Sequence, residues 1–364
     1  MRQVEKISSR QFTVLVFWYT IGTTILVIPS GLAATAKQDA WIGVIAGIIL
    51  NIAIVFVFIK IWSKFPDLSY IGICKKVLGK YFGKVLAVNF IFYSLFGSAA
   101  VLFYVGDFVT TNILVGTPIS YIHILYAVVV IMGVKLGIEV IARTAEIFLP
   151  WFIFLYLLFV IMIGPNVKFE LITPVFDSGV KPILQNAMSV AGTASLPFLS
   201  FLMIFPKVNN FKEAKKGFYV ATIIGGLFIL IITFLSITVL GPELTSRNMY
   251  PTYVLAKKIN IGNFLQRIEI IIAIIWIFSS FFKLTIYYYG LTVSIAELFN
   301  IQNYRSLCYP LGVIVVVVSL FIYPNITYMI EWDSTVYIPY IYTVALLIPL
   351  FILIVYSIRS RITK

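Results

Sequence analysis

Ten long apolar runs, each bounded by charged or turn-forming residues, constrain this chain more than any motif in it. They cover approximately 12–36, 41–62, 84–112, 120–137, 144–164, 182–206, 217–240, 265–299, 306–323 and 336–358. A bilayer core about 30 Å thick takes roughly 20 helical residues to cross. Backbone facing lipid has no water to bond, and a helix satisfies its N–H and C=O groups within one segment. Composition points the same way: 61% of the 364 residues are hydrophobic and 11% are charged, where a soluble domain carries about 25% charged residues. There is too little polar surface here for a water-soluble enzyme, a secreted disulfide scaffold or a disordered tail. The expected fold class is an all-α integral membrane protein with about ten transmembrane helices.

Cys74 and Cys308 are the only cysteines and His123 the only histidine. No metal site, disulfide framework or imidazole cluster is expected from so few ligands. No run carries a paired-carboxylate or nucleophile–base constellation, so neither an enzyme nor a bound cofactor is expected. The net charge of +13 reads as topology rather than nucleic-acid binding. Counted over alternate loops, nineteen Lys and Arg fall on the side of both termini and seven on the other. By the positive-inside rule both termini face the cytoplasm. Phe65-Pro66-Asp67 and Leu78-Gly79-Lys80 add turn chemistry to the basic loop between the second and third runs, where a re-entrant or surface helix is expected.

Five runs precede the loop near residue 170 and five follow it. The expected division is a first five-helix repeat over 1–168, a second over 169–358, and a cytoplasmic tail over 359–364. The first run of each half carries a similar phrase: Gly22-Thr23-Thr24-Ile25-Leu26-Val27-Ile28-Pro29 and Gly192-Thr193-Ala194-Ser195-Leu196-Pro197. Proline removes a donor and clashes with the preceding turn. An odd number of runs per half makes the halves enter the membrane in opposite senses, and matched interruptions in inverted halves point to a midplane binding site. A half-helix starting there offers unpaired N–H groups that suit a carboxylate. The ligand-binding candidates are therefore Gly22, Thr23, Thr24, Ile25, Ser195, Pro197 and Phe198, with Phe96 and Ala100 of the third run as an aromatic wall beside a small residue.

Lys283 lies mid-way along the eighth run, too deep for its stem to reach a surface easily. A lysine at that depth costs about 2.5–3.5 kcal/mol on insertion scales and marks pathways. Lys283 and Thr285 are the ion-coupling or gating candidates. No acidic residue lies at the centre of another run, so the expected partners of Lys283 are carbonyls freed at Gly22–Ile25, or Ser and Tyr hydroxyls.

Several phrases together resemble a known family. Gly22 to Pro29 resembles the first-helix phrase of amino acid–polyamine–organocation transporters, with Thr24 in place of the second glycine. Ser8-Ser9-Arg10-Gln11, Ile21-Gly22-Thr23, Gln38-Asp39-Ala40-Trp41, Phe65-Pro66-Asp67, Leu78-Gly79-Lys80, Thr117-Pro118, Gly137 to Arg143 and Arg267-Ile268-Glu269 resemble, in order, the spore germination permease family, the B-subunits of GerA-type nutrient germinant receptors. The resemblance implies a LeuT-like fold of two inverted five-helix repeats with broken first and sixth helices, in the spore inner membrane. It implies a small nutrient ligand, most simply an amino acid, and partnership with A- and C-type receptor subunits in the lipid bilayer, with no nucleic acid. Ligand capture would then trigger germination, ion movement being one route. The alternative is a proton- or sodium-coupled amino acid permease. Where relatives often carry a carboxylate after the sixth-helix proline, this chain has Phe198-Leu199-Ser200.

Overall fold

Side-chain caps set many of the helix boundaries. In this computed structural model, which describes residues 5–259 and 268–362, the Ser8 hydroxyl accepts from the Gln11 N–H at 3.1 Å while the Gln11 side chain accepts from the Ser8 N–H at 3.0 Å. That reciprocal cap opens α1 (Ser9–Ile21), which stops at Gly22 and is followed by α2 (Thr24–Ala36). The chain then turns through Lys37–Asp39, with Lys37 at φ 47°, into α3 (Ala40–Lys64). Ser69 caps α4 (Tyr70–Asn112), which kinks at Gly79, where φ is 79°. Next come α5 (Ile119–Leu136), α6 (Ile138–Ile163) and α7 (Val180–Ala194). A 3-10 stretch, Leu196–Met203, continues α7 and leads to α8 (Phe211–Arg247) and the short α9 (Pro251–Ala256). The rest is α10 (Glu269–Leu298), α11 (Cys308–Phe321), α12 (Ile326–Trp332), α13 (Ile338–Tyr342) and α14 (Ile348–Ile362), with π segments at Asp333–Tyr337 and Thr343–Leu347.

Among the described residues nine helical stretches are long and apolar enough to cross a membrane. The first, Thr24–Lys64, has 41 residues and would reach about 60 Å if straight, so it holds two passes. Side-chain contacts fix their directions. Gly43 and Gly47 of α3 meet Asn186 and Val190 of α7, and Ser195 bonds Asn51, so α3 runs parallel to α7. Gly22 and Thr193 both lie at Lys283, whereas Leu32 accepts from Asn186, so α2 runs antiparallel to α7. Consequently α2 and α3 are antiparallel, and the ten expected passes are all present.

The same contacts display the repeat. Along α1, Thr13 and Thr20 lie over Gly217 and Gly225 of α8. Thus the first helix of the first half runs parallel to the second helix of the other half. The pairing of α7 with α3 repeats that relation with the halves exchanged. Close approach through small residues is how helices associate where lipid removes the hydrophobic drive.

Two faces close differently. On the terminal face, Glu5 accepts from Lys207 and Arg305 at 2.8 Å each and from Tyr304 at 3.0 Å, while Ile7 pairs its backbone with Lys207 and Asn209. Burial by itself would raise the Glu5 carboxyl. The bond and charge of Lys207, the Tyr304 hydroxyl and the Arg305 charge outweigh burial and hold it below the ordinary glutamate range. The expected surface helix is present as the start of α4: the Ser69 hydroxyl donates to Glu297 at the end of α10, and Lys75 donates to the Glu297 carbonyl at 3.2 Å. On the opposite face Asp39, buried, accepts from the N–H groups of Phe176 (2.7 Å) and Ser178 (2.9 Å), tying the first half to the second.

Several boundaries differ from expectation. The third helical run begins at Tyr70 rather than 84, because the surface helix merges with it across the Gly79 kink, and the seventh extends to Arg247 rather than 240. The tenth helical run begins at Ile326 rather than 336, which draws Asp333 into it. The eighth is described from Ile268, so Arg267 of the Arg267-Ile268-Glu269 phrase and the expected start at 265 lie outside the described residues.

Candidate functional site

Interrupting a helix frees carbonyl oxygens, and each must find a donor when buried. At the first break Ser279 donates to the Gly22 carbonyl at 2.7 Å, the Trp276 indole to Thr23 at 3.1 Å and Thr252 to Ile25 at 2.9 Å. At the sixth-span break Tyr337 donates to the Gly192 carbonyl at 3.1 Å and Lys283 to Thr193 at 2.9 Å. Tyr19 and Tyr93 both donate to Pro197, at 3.0 and 2.9 Å. Each tyrosine also lies 3.3 Å from the Ser200 hydroxyl.

Lys283 joins the two breaks. Its stem runs against Gly22, where a Cβ would overlap it, and its ammonium reaches the sixth-span break. The Tyr19 ring centroid lies 5.6 Å from Nζ, within cation–π range. A carbonyl partner is thus present, but on Thr193 rather than at Gly22–Ile25. The reason is helical geometry: Ser279, one turn before Lys283 on the same face of α10, already occupies the Gly22 carbonyl.

The other candidates are placed as follows. Thr23 contributes its carbonyl and provides no side-chain cap to α2. The Thr24 hydroxyl is buried with no partner, at the open N-terminus of α2. Ile25 is buried. Ser195 donates to Asn51 at 2.6 Å and so ties α7 to α3. Pro197 begins a 3-10 stretch instead of an α-helix, and the Phe198 N–H turns back to the Ser195 carbonyl at 3.0 Å. The expected donor-rich half-helix start therefore holds for α2 and not for the sixth span, whose break presents carbonyls. The Phe198 ring packs against Phe218 and Phe201 at 5.0 and 5.8 Å, inside the aromatic core. Phe96 and Ala100 face α12 and the residues around it rather than the breaks. Thr285 donates to the Phe281 carbonyl and turns its methyl toward Gly133 of α5, away from both breaks.

Sequence reasoning missed Tyr19, Asn51, Thr252, Trp276, Ser279 and Tyr337 as partners of the breaks. Tyr19 and Ser279 carried a usable signal, since each sits about one helical turn before a singled-out residue. The other four reach the breaks only through tertiary packing.

Paired discontinuous helices in two inverted, interlocked halves define a transporter-type membrane protein of the LeuT-like fold. The fold likeness is direct: MhsT, solved in complex with L-phenylalanine, superposes with a TM-score of 0.67 at 15% identity, over 98% of this chain and 99% of that one. The chain matches the model of the spore germination protein family over residues 6–327 and belongs to that family. It is 30% identical to spore germination protein KB of Bacillus subtilis over 96% of this chain and 94% of the relative. Putative spore germination protein YfkT of the same organism is 26% identical over 93% and 92%. The resemblance read from the sequence, its fold class and a multi-pass membrane protein of spore germination are accordingly established.

Proposed function

We propose that this chain is the nutrient-sensing membrane subunit of a germination receptor, seated in the spore inner membrane with both termini cytoplasmic and working with A- and C-type partner subunits. A small nutrient, an amino acid by the chemistry of the site, binds between the two breaks. The observation that carries this reading is Lys283, which spans both breaks with its stem on Gly22 and its ammonium on the Thr193 carbonyl. A ligand carboxylate has three groups to meet there: the Lys283 ammonium, the partnerless Thr24 hydroxyl and the uncapped start of α2. Drawing Lys283 off Thr193 leaves a part-buried carbonyl without its donor, which costs up to about 1–3 kcal/mol. That cost couples occupancy to the position of the sixth-span break. MhsT, of the same fold, was solved with an amino acid bound, which supports the ligand class. Ion movement through the chain is one way the shift is passed on.

The test is thermal stabilisation of the purified chain by a panel of amino acids, sugars and nucleosides. At least one amino acid should stabilise the wild type and fail to stabilise Gly22→Leu and Thr24→Trp. Stabilisation that survives both substitutions would place the site elsewhere. Concentrative uptake of the same ligand into vesicles holding only this chain would replace the sensor with a coupled amino acid permease.

A further inference from the structure

A second constellation lies away from the breaks, toward the face opposite the termini. Phe96, Ala100 and Tyr104 recur every four residues and so share one face of α4. All three are half-buried. Facing them is the junction where α12 gives way to its π segment, with Trp332 and Asp333 half-buried as well. The Phe96 ring stands 5.6 Å from Trp332 and 6.1 Å from Tyr340. Between them Ala100 supplies the small side chain that keeps Phe96 and Tyr104 apart. Tyr104 donates its hydroxyl to Asp333. Among the described residues Asp333 takes part in no ion pair, and the Trp332 indole N–H is buried without a partner.

A carboxylate drawn in among rings costs free energy unless it is paired, and one phenol satisfies only part of its acceptor capacity. Aromatic faces beside a carboxylate attract an organic cation. A bare metal ion demands a shell of oxygens, which rings do not give. A buried donor one residue from the carboxylate wants an acceptor. We propose that Asp333, Tyr104, Phe96 and Trp332 form a second ligand site that takes the primary ammonium of a small amine on Asp333 and an adjoining carboxylate on the Trp332 indole. An amino acid carries both groups. The site rests on the sensor reading only for its natural occupant. It also has a route to the centre, because the same π segment that starts at Asp333 ends at Tyr337, the donor to Gly192 at the sixth-span break.

The experiment is a fluorescence titration of the full chain in nanodiscs, taking the difference between wild type and Trp332→Phe to isolate Trp332. The probes are n-propylammonium chloride, L-alanine, sodium propionate and potassium chloride at matched ionic strength. Propylammonium and L-alanine should give saturable changes, and propionate and potassium none. Asp333→Asn should weaken propylammonium about tenfold, the scale of one lost charge-assisted hydrogen bond. Tyr104→Phe keeps the ring and should shift affinity by less. Size-exclusion profiles and thermal unfolding establish that the variants fold. If Asp333→Asn fails to fold, a shift with Tyr104→Phe carries the test. An equal response to potassium, no saturable response to either amine, or titrations unmoved by the variants would overturn the site. Stabilisation by the nutrient panel is read on the same protein and on Gly22→Leu, and only the part lost in that variant reports the central site. The presence of that part without a Trp332 signal overturns this site alone, and a Trp332 signal without it overturns the central site alone.

Discussion

The two helix breaks use different kinds of side chain to satisfy the same kind of group. Among the described residues the first draws its donors from α9 and α10 alone, through two hydroxyls and an indole, all neutral. The sixth-span break draws on four elements, α1, α4, α10 and the tenth helical run, through three phenols and one ammonium. Neutral donors from neighbouring elements fix a break in place. A charge and phenols gathered from across the molecule make the other break answer to movements of all four elements. The asymmetry ties the first break to two elements and the sixth-span break to four.

The largest expected effect falls on the charged contact. Lys283→Met should leave membrane levels near normal while ligand stabilisation disappears, and Lys283→Arg should retain little because Gly22 fits closely around the lysine stem. Full stabilisation in the methionine variant would break the asymmetry, and loss of the protein itself would make Lys283 a tether. Next come matched glycine substitutions followed by thermal unfolding. Gly22→Ala drives a Cβ into the Lys283 stem and should cost about 1–3 kcal/mol as overpacking does. Gly192→Ala meets the flexible end of Ile338 and makes ordinary contact with Ile341, so its penalty should stay below about 1 kcal/mol, offset by helix propensity.

A smaller effect is expected from the shared phenols. Tyr19→Phe and Tyr93→Phe should each cost about 0.5–1.5 kcal/mol. The double variant should exceed their sum, because in either single variant the other hydroxyl still satisfies the Pro197 carbonyl. Strict additivity would show that the two do not share an acceptor. The smallest effect concerns pH. Glu5 is ionised more readily in the folded chain, so its contribution is fully present above the ordinary glutamate pKa of about 4.3. It is lost as pH falls through the lower folded value. Glu5→Gln should flatten that acid limb in pH-dependent melting and leave the response at neutral pH in place.

Much of the architecture was legible because it is written in local pattern. Apolar runs gave the passes, and the Gly-Thr and proline phrases gave both breaks. Depth within its run marked Lys283. What escaped was long-range. Nothing near residue 283 says that its partner is Thr193, since that contact depends on how α10 rotates against α7. Phe96 and Ala100 read as a wall, but which element they face depends on where the tenth run starts. Glu331, Asp333, Ser334 and Thr335 lower the apolar character there, so periodicity placed the start too late and left Asp333 out. The sixth span read as a second half-helix because proline suits a helix start. The chain chose a 3-10 path under Tyr19 and Tyr93 instead.

The threonines of α1 that face glycines of α8 spend their hydroxyls on their own helix, Thr13 on the Ser9 carbonyl and Thr20 on Val16. Across that seam these residues offer smooth contact and no hydrogen bond, whereas the α3–α7 seam is pinned by Ser195 on Asn51. In mechanical terms the middle of α1 rests on a smooth bearing, while its start is held by the ion pairs of Glu5 together with Ser9 on the Asn210 carbonyl and Arg10 on Glu146, a catch at that end. The Arg305 side chain of that catch is 44% exposed, within reach of mobile ions, so added salt screens its hold. Ionic strength therefore acts on this exposed contact, at a distance from both helix breaks.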